Sequence, residues 1–423
     1  MPRLADRIVA LVVLGLGAVT AVAAPDPASV TRQYATLAQA MYEDALVTAR
    51  TLRAAVGALA DDPSAATLRA ARAAWIAARA PYQQTEGFRF GNPVVDAWEG
   101  RVNAWPLDEG LIDYVAPGRA GSADANPYHV ANVIAHPTLR LGGRTVDAAT
   151  ISPALLRDTL HELDGVEANV ATGYHAIEFL LWGQDLHGTG PGAGERPYTD
   201  FDTSACTNGN CARRVAYLIA ASDLLVGDLE EMVAAWAPGG EARRVVVDDA
   251  YAGVTAILRG LGSLSYGELA GERIKLGLML HDPEEEHDCF SDNTHNAHYH
   301  DQLGIVGLYL GRYVRVDGSL VEGPGLSDLV AARDPTLDAE IRRAMSATLD
   351  RMQVMKGLAD RREMSYDQMI GEGNEVGNTV VREVVDALVA QARLLERAMA
   401  PLGISSLAFE GSDSLDSPSA VFK

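Results

Sequence analysis

The chain has 423 residues, 48% of them hydrophobic, which is enough to bury large cores and more than one core usually organises, so two domains are expected. Its 57 acidic side chains outnumber 35 basic ones, and the formal charge of −22 repels nucleic acid and anionic lipid, excluding a nucleic-acid-binding role. Aromatics make up only 6% and β-branched runs are short, so helix is favoured and an all-β or Rossmann architecture is set aside.

Residues 1–24 read as a signal peptide. Arg3 and Arg7 precede an apolar run from Ile8 to Ala24, and Ala21-Val22-Ala23 supplies the small-residue pattern for cleavage. Pro25, Asp26 and Pro27 follow with no basic stop-transfer cluster, so export is expected rather than a retained anchor. The expected location is periplasmic or associated with the outer membrane.

The span 25–240 is expected to form an N-terminal helical bundle. Val30 to Ala60 repeats apolar residues at helical spacing, through Leu37, Met41, Ala45 and Leu52. Ser64 caps a second helix with Leu68, Trp75 and Ile76, which Pro81 kinks or restarts near Tyr82, Glu86 and Phe88. A long connection rich in Gly and Pro covers Asp113 to Thr150. Ser152 and Pro153 then predict a clean helix through Leu160, Leu163 and Val166 towards Gly173. Cys206 and Cys211 close a tight loop that an oxidising compartment would staple as a structural disulfide, the alternative being two free surface thiols. Helices are predicted over Cys211–Trp236 and Glu241–Leu261, with Pro238, Gly239 and Gly240 breaking the chain between them.

The span 241–411 is expected to be a C-terminal bundle. Ser265–Leu280 is helical in pattern, Asp282–Asn296 is a dense polar segment, and Ala297–Tyr313 resumes an apolar periodicity. Helices over Pro335–Leu358 and Val376–Ala400 follow, and 412–423 reads as a disordered tail. The predicted fold class is all-α, two helical-bundle domains packed side by side.

Two segments carry chemistry. In Gly173-Tyr174-His175-Ala176-Ile177-Glu178, His175 and Glu178 share one helical face about a turn apart, surrounded by apolar neighbours. A buried carboxylate needs a partner, and an imidazole with an acid at this spacing suits a metal site within a bundle, although a core His–Glu hydrogen bond satisfies it equally. Residues 281–301 hold five of the ten histidines beside seven acids, a mixture preferred by first-row divalent metals, or else a solvated polar loop. Cys289 next to Phe290 reads as a small buried apolar group. Gluzincin, nucleophile-elbow, Walker A and haem-attachment motifs are all absent.

The Gly173, His175, Glu178 element, continued by Phe179-Leu180-Leu181-Trp182-Gly183, resembles the signature of the imelysin family. Trp75, Arg79, Tyr82 and Glu86, together with Leu264–Arg273 and Glu285–His295, are similar to its iron-regulated protein A branch. The resemblance implies two duplicated helical bundles with a metal site near their interface, formed by His175, Glu178 and Glu86. Second-domain contributors would be Glu272, Arg273, Glu286, His287 and His295. It further implies iron as the metal, with zinc or calcium left open, and a role in iron acquisition. The expected partners are iron or an iron complex and a membrane-associated iron transport component. The alternative it implies is an imelysin-type metallopeptidase.

Overall fold

Asp26 caps the first helix by accepting from Ser29 N, and Pro27 fixes φ in its first turn, so α1 (Pro27–Asp61) starts where cap and ring both favour it. The computed structural model describes residues 25–118, 126–141 and 143–422; the predicted signal peptide lies outside them. Reciprocal Ser64–Thr67 hydrogen bonds open α2 (Ala65–Gln83), which accommodates Pro81 in its last turn. Next come α3 (Pro93–Asn103), the hairpin of β1 (Thr138–Leu141) with β2 (Arg144–Asp147), and the single turn α4 (Pro153–Leu155). They lead to α5 (Gly173–Trp182), α6 (Cys211–Trp236), α7 (Glu241–Val247) and α8 (Ala250–Ser263).

From α8 the helix continues as a π-helical stretch, Leu264–Lys275, into α9 (Leu276–Leu280). The remaining elements are α10 (Thr294–Leu310), the hairpin of β3 (Arg312–Val314) with β4 (Leu320–Glu322), α11 (Leu326–Ala331), α12 (Pro335–Asp360), α13 (Tyr366–Ile370) and α14 (Glu375–Arg397). The turns α15 (Met399–Leu402) and α16 (Asp413–Asp416) follow. Among the described residues the fold is all-α apart from these two hairpins. Among the described residues no helix is long and apolar enough to cross a membrane.

α1 packs along α2 and α6 and also against α7 and α8, while α12 and α14 pair with each other, α14 lying on the π-helical stretch. α10 lies against both α2 and α12. The buried apolar side chains form one contiguous cluster from Val30 to Ile404, so helices on either side of residue 240 share a core.

Three stretches depart from expectation. The helix predicted from Ser152 towards Gly173 stops at Leu160, because Glu162 and Asp164 adopt left-handed φ values of 51° and 57° that end helical hydrogen bonding. The single helix predicted over 241–261 is two, with Asp249 capping α8 by accepting from Tyr251 N and Ala252 N. The predicted disordered tail is instead docked through residues 412–416. Ser414 Oγ donates to Gly271 O at 3.0 Å and Tyr266 OH to Asp416 at 2.7 Å. Gly267 and Gly271 make room for it, since a Cβ there would lie 2.4 Å from Glu410 O and 2.3 Å from Ser412 Cβ. The Cys206–Cys211 disulfide is formed, and Cys289 is free and buried.

Candidate functional site

α5 is buried along its whole length, and its first residue must be glycine: Gly173 has φ +81°, and a Cβ would lie 2.4 Å from Val102 O. This close seat fixes His175 and Glu178 at the centre of the molecule, both fully buried. His175 Nδ1 lies 3.2 Å from Glu178 Oε2, while Glu178 Oε1 accepts from Ser291 N at 3.0 Å and Ser291 Oγ at 2.6 Å. The acid is therefore satisfied by protein donors, and the free position belongs to the imidazole: His175 Nε2 is buried with no hydrogen-bond partner.

Opposite it runs the polar segment before α10. His287 and Asp288 point inward from it, Phe290 anchors it against Phe179 at 5.3 Å between centroids, and Gly194 N donates to Phe290 O. His175, His287 and Asp288 each bring a ligand atom within 4.8 Å of the other two, and all three are buried. The two imidazole centroids are 4.8 Å apart, with Trp105 flanking them. A guanidinium enters the same space from α2. Arg79 Nη2 donates to Asp288 Oδ1 at 2.7 Å and lies 3.4 Å from His287 Nδ1, and its Nη1 donates to Asn103 at 2.6 Å. Asn293 donates to Asp288 Oδ2 at 2.8 Å.

Burial, reinforced by the Arg79 and Arg273 charges, holds His175 well below the usual imidazole range. Burial also lowers His287, assisted by Arg273 and by His175 itself, so both rings favour the neutral form, in which each has one ring nitrogen able to act as an acceptor or ligand. Glu178 is pushed well up by burial and by Asp288, against the opposing pull of Ser291 and Arg79. A positive ion at the trio would reverse that balance. Were His175 to hold a metal through Nε2, its Nδ1–H would donate to Glu178, which would orient the ring as carboxylates do behind ligating histidines.

The other sequence-selected residues fall in three places. Glu86 pairs with Arg273 at 2.6 Å, and Arg273 also reaches Glu268 and Asp301, so Glu86 is held by a buried ion network linked to Arg79 through Asn103. Glu272 is exposed on the wall of a cleft of about 590 Å³ that Arg273 and His287 also line, and that opens beside the trio. Glu286 faces away from the trio towards Asp185, and His295 sits 3.5 Å from Asp360 at the end of α12. The structure thus brings His175, Glu178 and His287 together and sets Glu86, Glu272, Arg273, Glu286 and His295 outside the trio. Asp288, beside His287, and Arg79 were not singled out as site residues from the sequence. For Arg79 a signal lay in charge, since it is an ionisable residue among apolar neighbours and needs a partner, whereas Asp288 stands in an acid-rich run that hides it.

Comparisons with known proteins come from three directions. A family model described as Imelysin matches residues 38–395. A short segment is 46% identical over 46 residues to iron-regulated protein A of Synechococcus elongatus, and the match spans 11% of this chain and 13% of that relative's length. Among solved structures, one assigned as an iron-regulated protein A precursor of Parabacteroides distasonis superposes with a TM-score of 0.62 at 17% identity, covering 90% of this chain and 97% of that one. An imelysin-like protein of Psychrobacter arcticum superposes with a TM-score of 0.57 at 16% identity, covering 88% and 96%. At these identities the likeness is one of fold, and the fold shared is all-α.

Proposed function

Since this chain belongs to the imelysin family, we propose that it is an exported metal-binding protein whose cargo is iron and whose ligands are His175, His287 and Asp288. The observation that carries this reading is the buried convergence of ligand atoms from His175, His287 and Asp288 within 4.8 Å of one another, with His175 Nε2 left without a hydrogen-bond partner. Two imidazoles and one carboxylate suit Fe(II) on ligand type, and the names of the relatives support iron over zinc or calcium. Glu178 orients His175, and Arg79 balances Asp288 before the ion arrives. The guanidinium opposes a second positive charge, so iron is held in exchange for the Arg79 contact or beside it. The open cleft next to His287 supports entry of iron or a small iron complex. Delivery to a membrane-associated transport component and a role in iron acquisition complete the proposal.

The geometry supports binding over peptide hydrolysis. Metal-assisted attack on a peptide bond needs a separate base for the water. Glu178 is consumed by Ser291 and His175, and Glu86 by Arg273. The test is anaerobic Fe(II) loading of the chelator-stripped protein followed by metal analysis. Stoichiometric iron that disappears in His175→Ala and His287→Ala is expected; loading unchanged in both variants overturns the site. Peptide hydrolysis that survives purification and vanishes in Glu178→Ala would replace binding with the enzyme.

A further inference from the structure

On the far side of the 286–292 segment from the trio stands a second group of ligand-type side chains. Asp185, three positions past the end of α5, Asp292 before α10, and Asp367 in α13 each place a carboxylate oxygen within 4.8 Å of the other two. Like charges at this separation repel and disfavour one another's ionisation, so holding all three carboxylates charged is costly unless something positive compensates. His187 hydrogen bonds Asp185 at 2.8 Å but does so from the exposed rim. Two oxygens of the cluster are bare: Asp292 Oδ1 and Asp367 Oδ2 are buried without any hydrogen-bond partner, while the other Asp367 oxygen accepts from Ser365 Oγ.

A fourth acid, from a position deeper than the cluster, provides the independent sign of a ligand. Glu286 is 1% exposed, and neither of its oxygens has a partner in hydrogen-bond geometry. It lines one small cavity together with Asp185, and burial, Asp367 and Asp292 push it well above the usual carboxylate range, with Thr294 opposing and Asp185 adding to the rise. Burying an acid with no donor costs several kcal/mol unless it is neutralised or bound to a cation.

We propose that Asp185, Asp292, Asp367 and Glu286 form a second cation site, separate from the iron trio, that takes a hard divalent ion, calcium. All donors are carboxylate oxygens, the ligand type of calcium and magnesium rather than of softer metals. Asp185, Asp292 and Asp367 bring their oxygens close enough to share one ion, and Glu286 stands beside them to complete the shell. Contributions from three separate segments suit calcium, which accepts irregular shells, better than magnesium, which demands near-octahedral ones. The bound ion would clip the chain after α5 to the segment that carries His287, Asp288 and Ser291, fixing the strap between the two sites.

The experiment is calorimetric titration of CaCl2 into the chelator-stripped protein, with thermal midpoints measured in parallel. Saturable binding with Kd on the order of 10⁻⁴ M is expected, and a hundredfold excess should raise the midpoint by a few degrees. Asp292→Asn and Asp367→Asn should each weaken binding more than about tenfold, yet raise the calcium-free midpoint by relieving repulsion, which certifies that they fold. His175→Ala should leave calcium binding intact, so failure of the iron site leaves this one standing. The proposal is overturned by no heat and no midpoint shift at about 10 mM calcium, by binding unchanged in both Asn variants, or by calcium binding lost in His175→Ala alone. Magnesium bound as tightly as calcium would overturn the choice of ion.

Discussion

Arg79 and Asp288, 209 positions apart in the chain, meet in the core with the guanidinium Nη2 2.7 Å from the carboxylate Oδ1. Both side chains are almost completely buried, so removing one strands the other. Arg79→Met is expected to destabilise the metal-free protein by about 3–5 kcal/mol, as breaking a buried pair does. Ferrous iron should restore a larger part of the thermal midpoint in this variant than in the wild type, because the competing positive charge is gone. Equal iron-induced shifts in the two proteins would show that Arg79 and the ion do not compete.

Glu178→Gln separates orientation from fold. The amide still accepts from Ser291, so the thermal midpoint should change by little. It can no longer receive the His175 Nδ1 proton as a carboxylate does, and iron affinity should fall about 10–100-fold, the usual cost of losing an orienting acid. Competition titration against a chromogenic Fe(II) chelator measures it.

Asp113 is the keystone of a second buried ion group, accepting from Arg196 Nη1 at 2.8 Å and from Arg214 Nε at 2.6 Å. Burial alone would raise this acid, but Arg196 and Arg214 bring it below the usual carboxylate range. Asp113→Asn leaves two buried guanidinium groups short of charge and should cost about 3–5 kcal/mol by chemical denaturation. A loss below about 1 kcal/mol would mean that Asp200 compensates by itself.

Two groups tilt stability with pH in opposite directions. Burial and Glu86 push Glu99 up from 4.5 to about 7, so the folded chain keeps a proton that the unfolded chain releases, and this stabilisation is lost as pH rises through about 7. Burial lowers His295 from 6.5 to about 4, so its stabilisation is present above pH 6.5 and lost as pH falls towards 4. Glu99→Gln should remove a decline of the midpoint between about pH 4.5 and 7, and His295→Gln a rise between about pH 4 and 6.5. Curves superimposable on wild type would refute both assignments.

Gly173→Ala tests the seat of α5. The new methyl meets Val102 O, and alanine at φ +81° is strained, so a loss above about 2 kcal/mol is expected with weakened iron loading. A thermal melt and metal analysis on one preparation check both.

Local signals made much of the fold readable. α1 and α2 follow from unbroken apolar periodicity and a Ser cap, the disulfide from a five-residue spacing, and the His175–Glu178 contact from helical geometry. The early end of the helix after Ser152 was only partly readable: Asp164-Gly165 is a turn dipeptide inside the predicted span, but the left-handed Glu162 that ends the helix before it carries no Gly or Asn. The trio was half readable: His287 stood out as a histidine in an acid-rich run, whereas Asp288 was one carboxylate among seven until Arg79 and Asn293 are seen around it. Glu178 showed as a buried acid, but its partner Ser291 lies 113 positions away. Asp185 and Asp367 are 182 positions apart and carry no mutual spacing, and only the fold brings them beside Asp292.

The buried charges of this protein are shared across its middle. Arg79 and Glu86 belong to the first half of the chain, and their counterparts Asp288 and Arg273 to the second. Severed near Gly239, each fragment would inherit unmatched ions in what should be its dry interior, and would have to stay open to water to tolerate them. The halves would therefore regain structure only by reassociating, a property that makes the break between α6 and α7 a natural place for a split reporter.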